Sequence, residues 1–167
     1  MEPNLPTGPN VAMSEALVRA WGSLGVRHAV IAPGSRSTPL AYACATSDTI
    51  ETIVRLDERS AGFCALGIAK TTGRPVLVVT TSGTAATELL PSVTEASQSH
   101  VPLIVVTTDR PPMLGGIGAP QTIRQDGLFH HVAREERFLG APDLRDAPEW
   151  PSLAAQVFAA ATRPGLF

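Results

Sequence analysis

Short apolar runs rich in β-branched residues recur along this chain, each closed by turn residues, with helical spacing filling the intervals. The runs are residues 28–32 (HAVIA), 52–56 (TIVRL), 75–80 (PVLVVT) and 103–108 (LIVVTT). None alternates strictly between apolar and polar, which is the signature of strands buried on both faces in a parallel sheet. Apolar positions at helical spacing occupy 11–24, 37–47, 57–72 and 83–97, and a further helix is expected over 151–162, opening on a proline in its first turn. This order predicts an α/β fold: a doubly wound, mainly parallel sheet with helices on both faces. Residues 109–121 hold three prolines and three glycines and are expected to form a structured loop at a strand's carboxyl end. Beyond it the pattern weakens to a short helix near 126–131 and a strand candidate at 137–139.

A chain of 167 residues fits one domain, so 1–167 is read as a single unit. With 44% hydrophobic and 17% charged residues it has a globular composition, and no apolar run approaches the roughly 20 residues of a membrane span. The 13 basic and 15 acidic residues are interspersed, leaving a net charge of −2 and no basic patch for nucleic acid. The N-terminal MEPNLPTGPN lacks the charge and apolar stretch of a secretory signal, so a cytoplasmic location is expected. Cys44 and Cys64 stand in apolar helical contexts without metal or redox spacing and are read as buried small hydrophobes.

Ligands of open α/β sheets collect at the carboxyl ends of the strands. There the chain places Ala32 to Thr38, Leu56 to Arg59, Thr80 to Thr84 and Thr108 to Pro112, all on one rim. Glu58 is the sharpest candidate, a carboxylate beside an apolar run that could hold or share a proton. Position alone equally allows Asp57 and Glu58 to do no more than offset a helix dipole. Pro33, Gly34, Ser35 and Arg36 could form an anion cradle or a plain turn. Thr81, Ser82 and Gly83 could meet a ligand, or one hydroxyl could cap the next helix. Arg110 could grip a carboxylate with its fork of donors, or pair with Asp109. Gln121 and Arg124 could orient a polar substrate or lie at the surface. His130 and His131 are adjacent, diverge in any regular element, and receive no role.

Taken together, IAPGSRSTPL, RLDERSAGFCALGIAK, VVTTSGTAATELLPSVTEA and IVVTTDRPPMLGGIGAPQTIRQ are more discriminating than any one of them. Over residues 16–129 this series resembles the N-terminal, pyrimidine-binding domain of a thiamine-diphosphate enzyme family. That family comprises the synthases making 2-succinyl-5-enolpyruvyl-6-hydroxy-3-cyclohexene-1-carboxylate for menaquinone biosynthesis. The resemblance implies decarboxylation of 2-oxoglutarate and addition of the resulting succinyl-semialdehyde unit to isochorismate. It implies that Glu58 hydrogen-bonds the aminopyrimidine ring and promotes its imino tautomer, and that Pro33, Thr81, Ser82 and Gly83 line the cofactor pocket. It further implies that Ser35, Arg36, Arg110 and Gln121 contact substrate.

The chain departs from the family by containing no Gly-Asp-Gly motif, which in relatives fixes Mg²⁺ and the diphosphate. It assigns no metal ligand here, and the tail at Leu166 and Phe167 stops where relatives continue into a strand closing this domain's sheet. The expectation is a domain truncated at its C-terminus, lacking the central and diphosphate-binding domains and inactive alone. It would act in a homo-oligomer, against the diphosphate-binding domain of a second subunit, and associate through helices flanking Glu58. Two rivals stand beside this reading: a separate pyrimidine-domain subunit of a sulfopyruvate-type decarboxylase, and a non-catalytic α/β interaction module.

Overall fold

A computed structural model describes residues 8–163. Its elements run α1 (Pro9–Leu24), β1 (His28–Ile31), α2 (Thr38–Ala45), β2 (Glu51–Val54), α3 (Glu58–Thr72), β3 (Val76–Thr80), α4 (Thr84–Thr87), α5 (Leu90–Gln98), β4 (Leu103–Thr107) and α6 (Trp150–Thr162). Short 3-10 turns cover Pro112–Leu114 and Leu144–Glu149. The strands pair in parallel in the order β2-β1-β3-β4. In-register pairs such as Val30 with Ile53 and Val78, and Val78 with Val105, align all carboxyl ends on one rim, as the pattern of runs predicts.

Strand alternation divides the core between two faces. Ala29, Ile31, Leu77, Val79 and Ile104 face α1, α2 and α6, with Val18, Trp21, Cys44 and Trp150. Trp21 Nε1 donates to the Ala154 carbonyl at 3.0 Å, satisfying its buried polar end and tying α1 to α6. On the opposite face Val30, Ala32, Val76 and Val78 meet Ala61, Ala65 and Ala69 of α3, Leu89 just before α5 and Val93 within it. The central strand β3 is buried at all five positions, while β2 at the edge exposes its ends. Cys44 is buried, and desolvation pushes its thiol up to about 12; Cys64 is only half-buried.

Three expectations need correction. The helix over 83–97 is two, because Pro91 has no N–H for the Thr87 carbonyl and its ring crowds that oxygen, so the axis restarts at Leu90. Residues 126–131 are turns, with Gly127 in the left-handed region at φ 81° interrupting any helix. Residues 137–139 form no strand: Phe138 and Leu139 are exposed, and Arg137 bonds Glu135 and Gln156 on the surface. Element boundaries elsewhere differ by at most two residues. The tail expectation at Leu166 and Phe167 lies outside the described residues.

Candidate functional site

The rim is built from loops that lock into one another. After β1, the buried Ser37 hydroxyl donates to the Gly34 carbonyl at 3.0 Å, and the Thr38 hydroxyl donates to the Ser35 carbonyl at 3.0 Å. Their bonds fold the Pro33–Arg36 turn tightly and leave the side chains of Ser35 and Arg36 exposed. Gly34 presses against the next loop: a methyl group there would lie 2.5 Å from Thr81 Cβ, so only glycine permits the contact.

Thr81, Ser82 and Gly83 are all buried. The sequence left one hydroxyl as a cap of the following helix; neither takes that role. Gly83 itself occupies the N-cap of α4 at φ 82° without a side-chain cap, and the Ser82 hydroxyl turns away to donate to the Gln121 carbonyl at 2.9 Å. A Cβ on Gly83 would lie 3.0 Å from the Gln121 carbonyl oxygen, so the loops after β3 and β4 are in direct backbone contact. Gln121 sits at φ 57° and remains exposed.

At the end of β2 the roles of two neighbouring acids separate. Asp57 is the N-cap of α3 and accepts from the Ser60 N–H at 2.7 Å. Its hydrogen bonds with Ser60, aided by the Arg59 charge, hold its carboxyl below the ordinary 3.8. Glu58 is the first helical residue and half-buried, and among the described residues its carboxylate has no hydrogen-bonding or ionic partner. Capping is thus supplied by Asp57, which leaves Glu58 uncommitted. Close to it in sequence, Val54 (54% exposed), Leu56 (86%) and Phe63 (44%) present apolar side chains to solvent. Arg59 is exposed.

Past β4, the Arg110 backbone N–H donates to the Asp109 carboxylate at 2.6 Å, but the guanidinium does not pair with Asp109, and Arg110 Nε is buried without a partner among the described residues. Arg110 lines an open cavity of about 740 Å³ together with Ser35, Arg36 and Gln125. Glu58, Pro33, Gln121 and the Thr81–Gly83 turn are not part of its lining. The predicted residues therefore form two adjoining regions of one rim. Arg124 is exposed and lies 4.0 Å from Asp126, an ordinary surface pair. Sequence reasoning missed Gln125, Ser37 and the contact role of Gly34. The polarity of these residues gave no signal, since only folding shows that Gln125 is buried. No group of three or more possible metal-ligating side chains occurs among the described residues. No described helix is long and apolar enough to cross a membrane.

A parallel sheet with interlocked carboxyl-end loops and a free acid at a helix start is the framework of a cofactor-binding α/β domain. The chain belongs to the family of the thiamine pyrophosphate enzyme N-terminal TPP binding domain, which matches residues 11–128. It is similar to proteins named 2-succinyl-5-enolpyruvyl-6-hydroxy-3-cyclohexene-1-carboxylate synthase. With that of Thermobifida fusca it is 49% identical over 162 residues, which are 94% of this chain and 29% of the relative. With that of Myxococcus xanthus it is 52% identical over 138 residues, 83% of this chain and 23% of the relative. With that of Synechocystis it is 49% identical over 137 residues, 82% of this chain and 23% of the relative. The chain thus spans about a quarter of the length of these curated relatives.

Proposed function

We propose that this chain serves as the pyrimidine-binding domain of a 2-succinyl-5-enolpyruvyl-6-hydroxy-3-cyclohexene-1-carboxylate synthase, the name its relatives carry. In this reading a central domain and a diphosphate-binding domain complete the protein, and the latter supplies the Mg²⁺ site from a second subunit of a cytoplasmic homo-oligomer. The substrates are 2-oxoglutarate and isochorismate. The single observation that carries the reading is the uncommitted Glu58 carboxylate beside exposed apolar surface, relieved of capping by Asp57. Such a surface fits an aminopyrimidine, which needs an acid able to share a proton and an apolar flank for its ring.

Thiamine diphosphate, when bound, supplies the electron sink for decarboxylating a 2-oxoacid. The chain's own residues bind, orient and tune. Glu58 holds a proton against the pyrimidine nitrogen, a task its isosteric amide cannot perform. Pro33 and the Thr81–Gly83 turn, fixed by Gly34 and Gln121, provide a rigid wall on the same rim. Arg110 has no ion-pair partner among the described residues and lines the cavity with Ser35 and Arg36, where its guanidinium would meet a substrate carboxylate. Gln121, exposed on the same segment after β4 as Arg110, would meet the substrate from outside that cavity's lining. The relatives' name favours this synthase over a separate decarboxylase subunit, and the joint presence of Glu58, Ser35, Arg36 and Arg110 favours a working site over a silent module.

The test is a chimera in which the matched 162 residues of the Thermobifida fusca synthase are replaced by this chain. With thiamine diphosphate, Mg²⁺ and both substrates the chimera should form product. Glu58→Gln should lower its kcat/KM by about 10²–10⁴-fold, the usual worth of a positioned proton-transfer group. A folded chimera without activity, or a Glu58→Gln variant as active as its parent, would refute the proposal.

A further inference from the structure

Between Pro112 and Ala133 the chain runs over the surface, and only Gln125 and Phe129 are buried. A buried carboxamide is costly unless both of its ends are bonded. Gln125, 7% exposed, meets that condition by joining separate segments. Its Oε1 accepts from the Gly83 N–H at 2.8 Å, in the turn after β3. Its Nε2 donates to the Thr108 carbonyl at 3.1 Å, with the Thr107 hydroxyl at 3.5 Å, at the end of β4. Arg110 follows Thr108 by two positions, and Gln121 lies on Gln125's own segment, bound back to Ser82.

From these contacts we infer that Gln125 is a positioning residue: its single carboxamide fixes the Thr81–Gly83 turn relative to Arg110, and so aligns the cofactor wall with the substrate-gripping arginine. The inference rests on the function proposed above. The chemistry explains the residue type. The bridge needs an acceptor toward Gly83 and a donor toward Thr108, in one rigid plane. Glutamate when ionised only accepts, methionine has the same shape and does neither, and asparagine is one methylene shorter.

Two variants separate the two bonds. In the chain alone, without ligand, amide exchange and backbone resonances are followed by NMR. Gln125→Met should speed exchange at Gly83 roughly tenfold or more and shift the Thr108–Arg110 resonances, because both partners lose their bond. Gln125→Glu should keep Gly83 protected at pH above the carboxyl's titration while Thr108–Arg110 shift. Those resonances should return as the carboxyl is protonated and regains a donor. A side chain that merely fills space would give no such pH profile. Wild-type protection of Gly83 in Gln125→Met, or a pH-invariant Gln125→Glu, would overturn the bridge.

The chimera supplies the second arm. Gln125→Met should reduce its kcat/KM roughly tenfold or more, and Gln125→Glu should recover, relative to the parent, as pH falls. An active parent with an equally active Gln125→Met variant overturns the positioning role. An inactive parent overturns the proposed function instead, and the exchange arm then decides for or against the bridge, since it contains no cofactor or substrate.

Discussion

At the scale of the residue, the sequence singled out Glu58, yet position alone allowed both Asp57 and Glu58 to do no more than offset the dipole of the helix that follows. The fold divides them. Asp57, in extended backbone at φ −99° and ψ 126°, reaches the Ser60 amide, while Glu58 is already helical and cannot. The division makes a pH prediction for Asp57. Its folded value lies below 3.8, chiefly through the Ser60 hydrogen bonds. A depressed carboxyl contributes stability that is present above the unfolded value and is lost as pH falls through the folded one. Asp57→Asn keeps a cap but removes the titrating group. The stability gap between wild type and Asp57→Asn, read by urea denaturation, should be largest near neutrality and should close on acidification below about pH 4. A gap independent of pH would mean that Asp57 gives nothing beyond the cap. The loop residues carry the same lesson. Gly34 was legible only as part of a turn and Gln125 carried no reading at all, yet with Ser82 they pin the rim through neighbours that lie far away in sequence.

At the scale of the element, strands and long helices were legible because their burial follows a local period. β3 reads as an apolar run closed by Thr80 and lies fully buried, and α1, α3 and α6 end within two residues of the expected positions. The break between α4 and α5 was written in Pro91, although the apolar spacing ran across it. Packing between helices was not legible. Gly62 lies inside α3 where α5 packs tightly against it: a Cβ there would lie 2.1 Å from Ser92 Oγ and 2.9 Å from Ser92 Cβ. Replacing Gly62 by alanine gains about 1 kcal/mol of helix propensity. Overpacking costs about 1–3 kcal/mol, and here it wins because the 2.9 Å contact with Ser92 Cβ cannot be relieved by a rotamer change. Gly62→Ala should therefore destabilise the chain in chemical denaturation. In Ser92→Gly the clash disappears, so the double mutant should show a favourable coupling of about 1 kcal/mol, and strict additivity would count against the packing account.

At the scale of the whole molecule, apolar side chains remain uncovered in several places among the described residues. One group lies next to Glu58 in sequence, where Val54, Leu56 and Phe63 are exposed. Another runs along β4, an edge strand of the described sheet, toward Phe138 and Leu139. Association through the first follows from the proposed homo-oligomer. Sedimentation of the wild-type chain should then show concentration-dependent self-association, and Leu56→Glu should weaken it markedly while leaving the far-UV spectrum unchanged. Association equally strong in Leu56→Glu would move the interface elsewhere. The sequence by itself determined the class of fold, the rim on which ligands gather and the ordered loop motifs, because hydrophobic periodicity and turn chemistry act over a few residues. Only the tertiary structure decided which acid is free, which donor is left without a partner and which glutamine is buried. Those properties depend on contacts across 17 residues, as between Gln125 and Thr108, or 39, as between Ser82 and Gln121. Such contacts exist only once the parallel strands have brought the loops together.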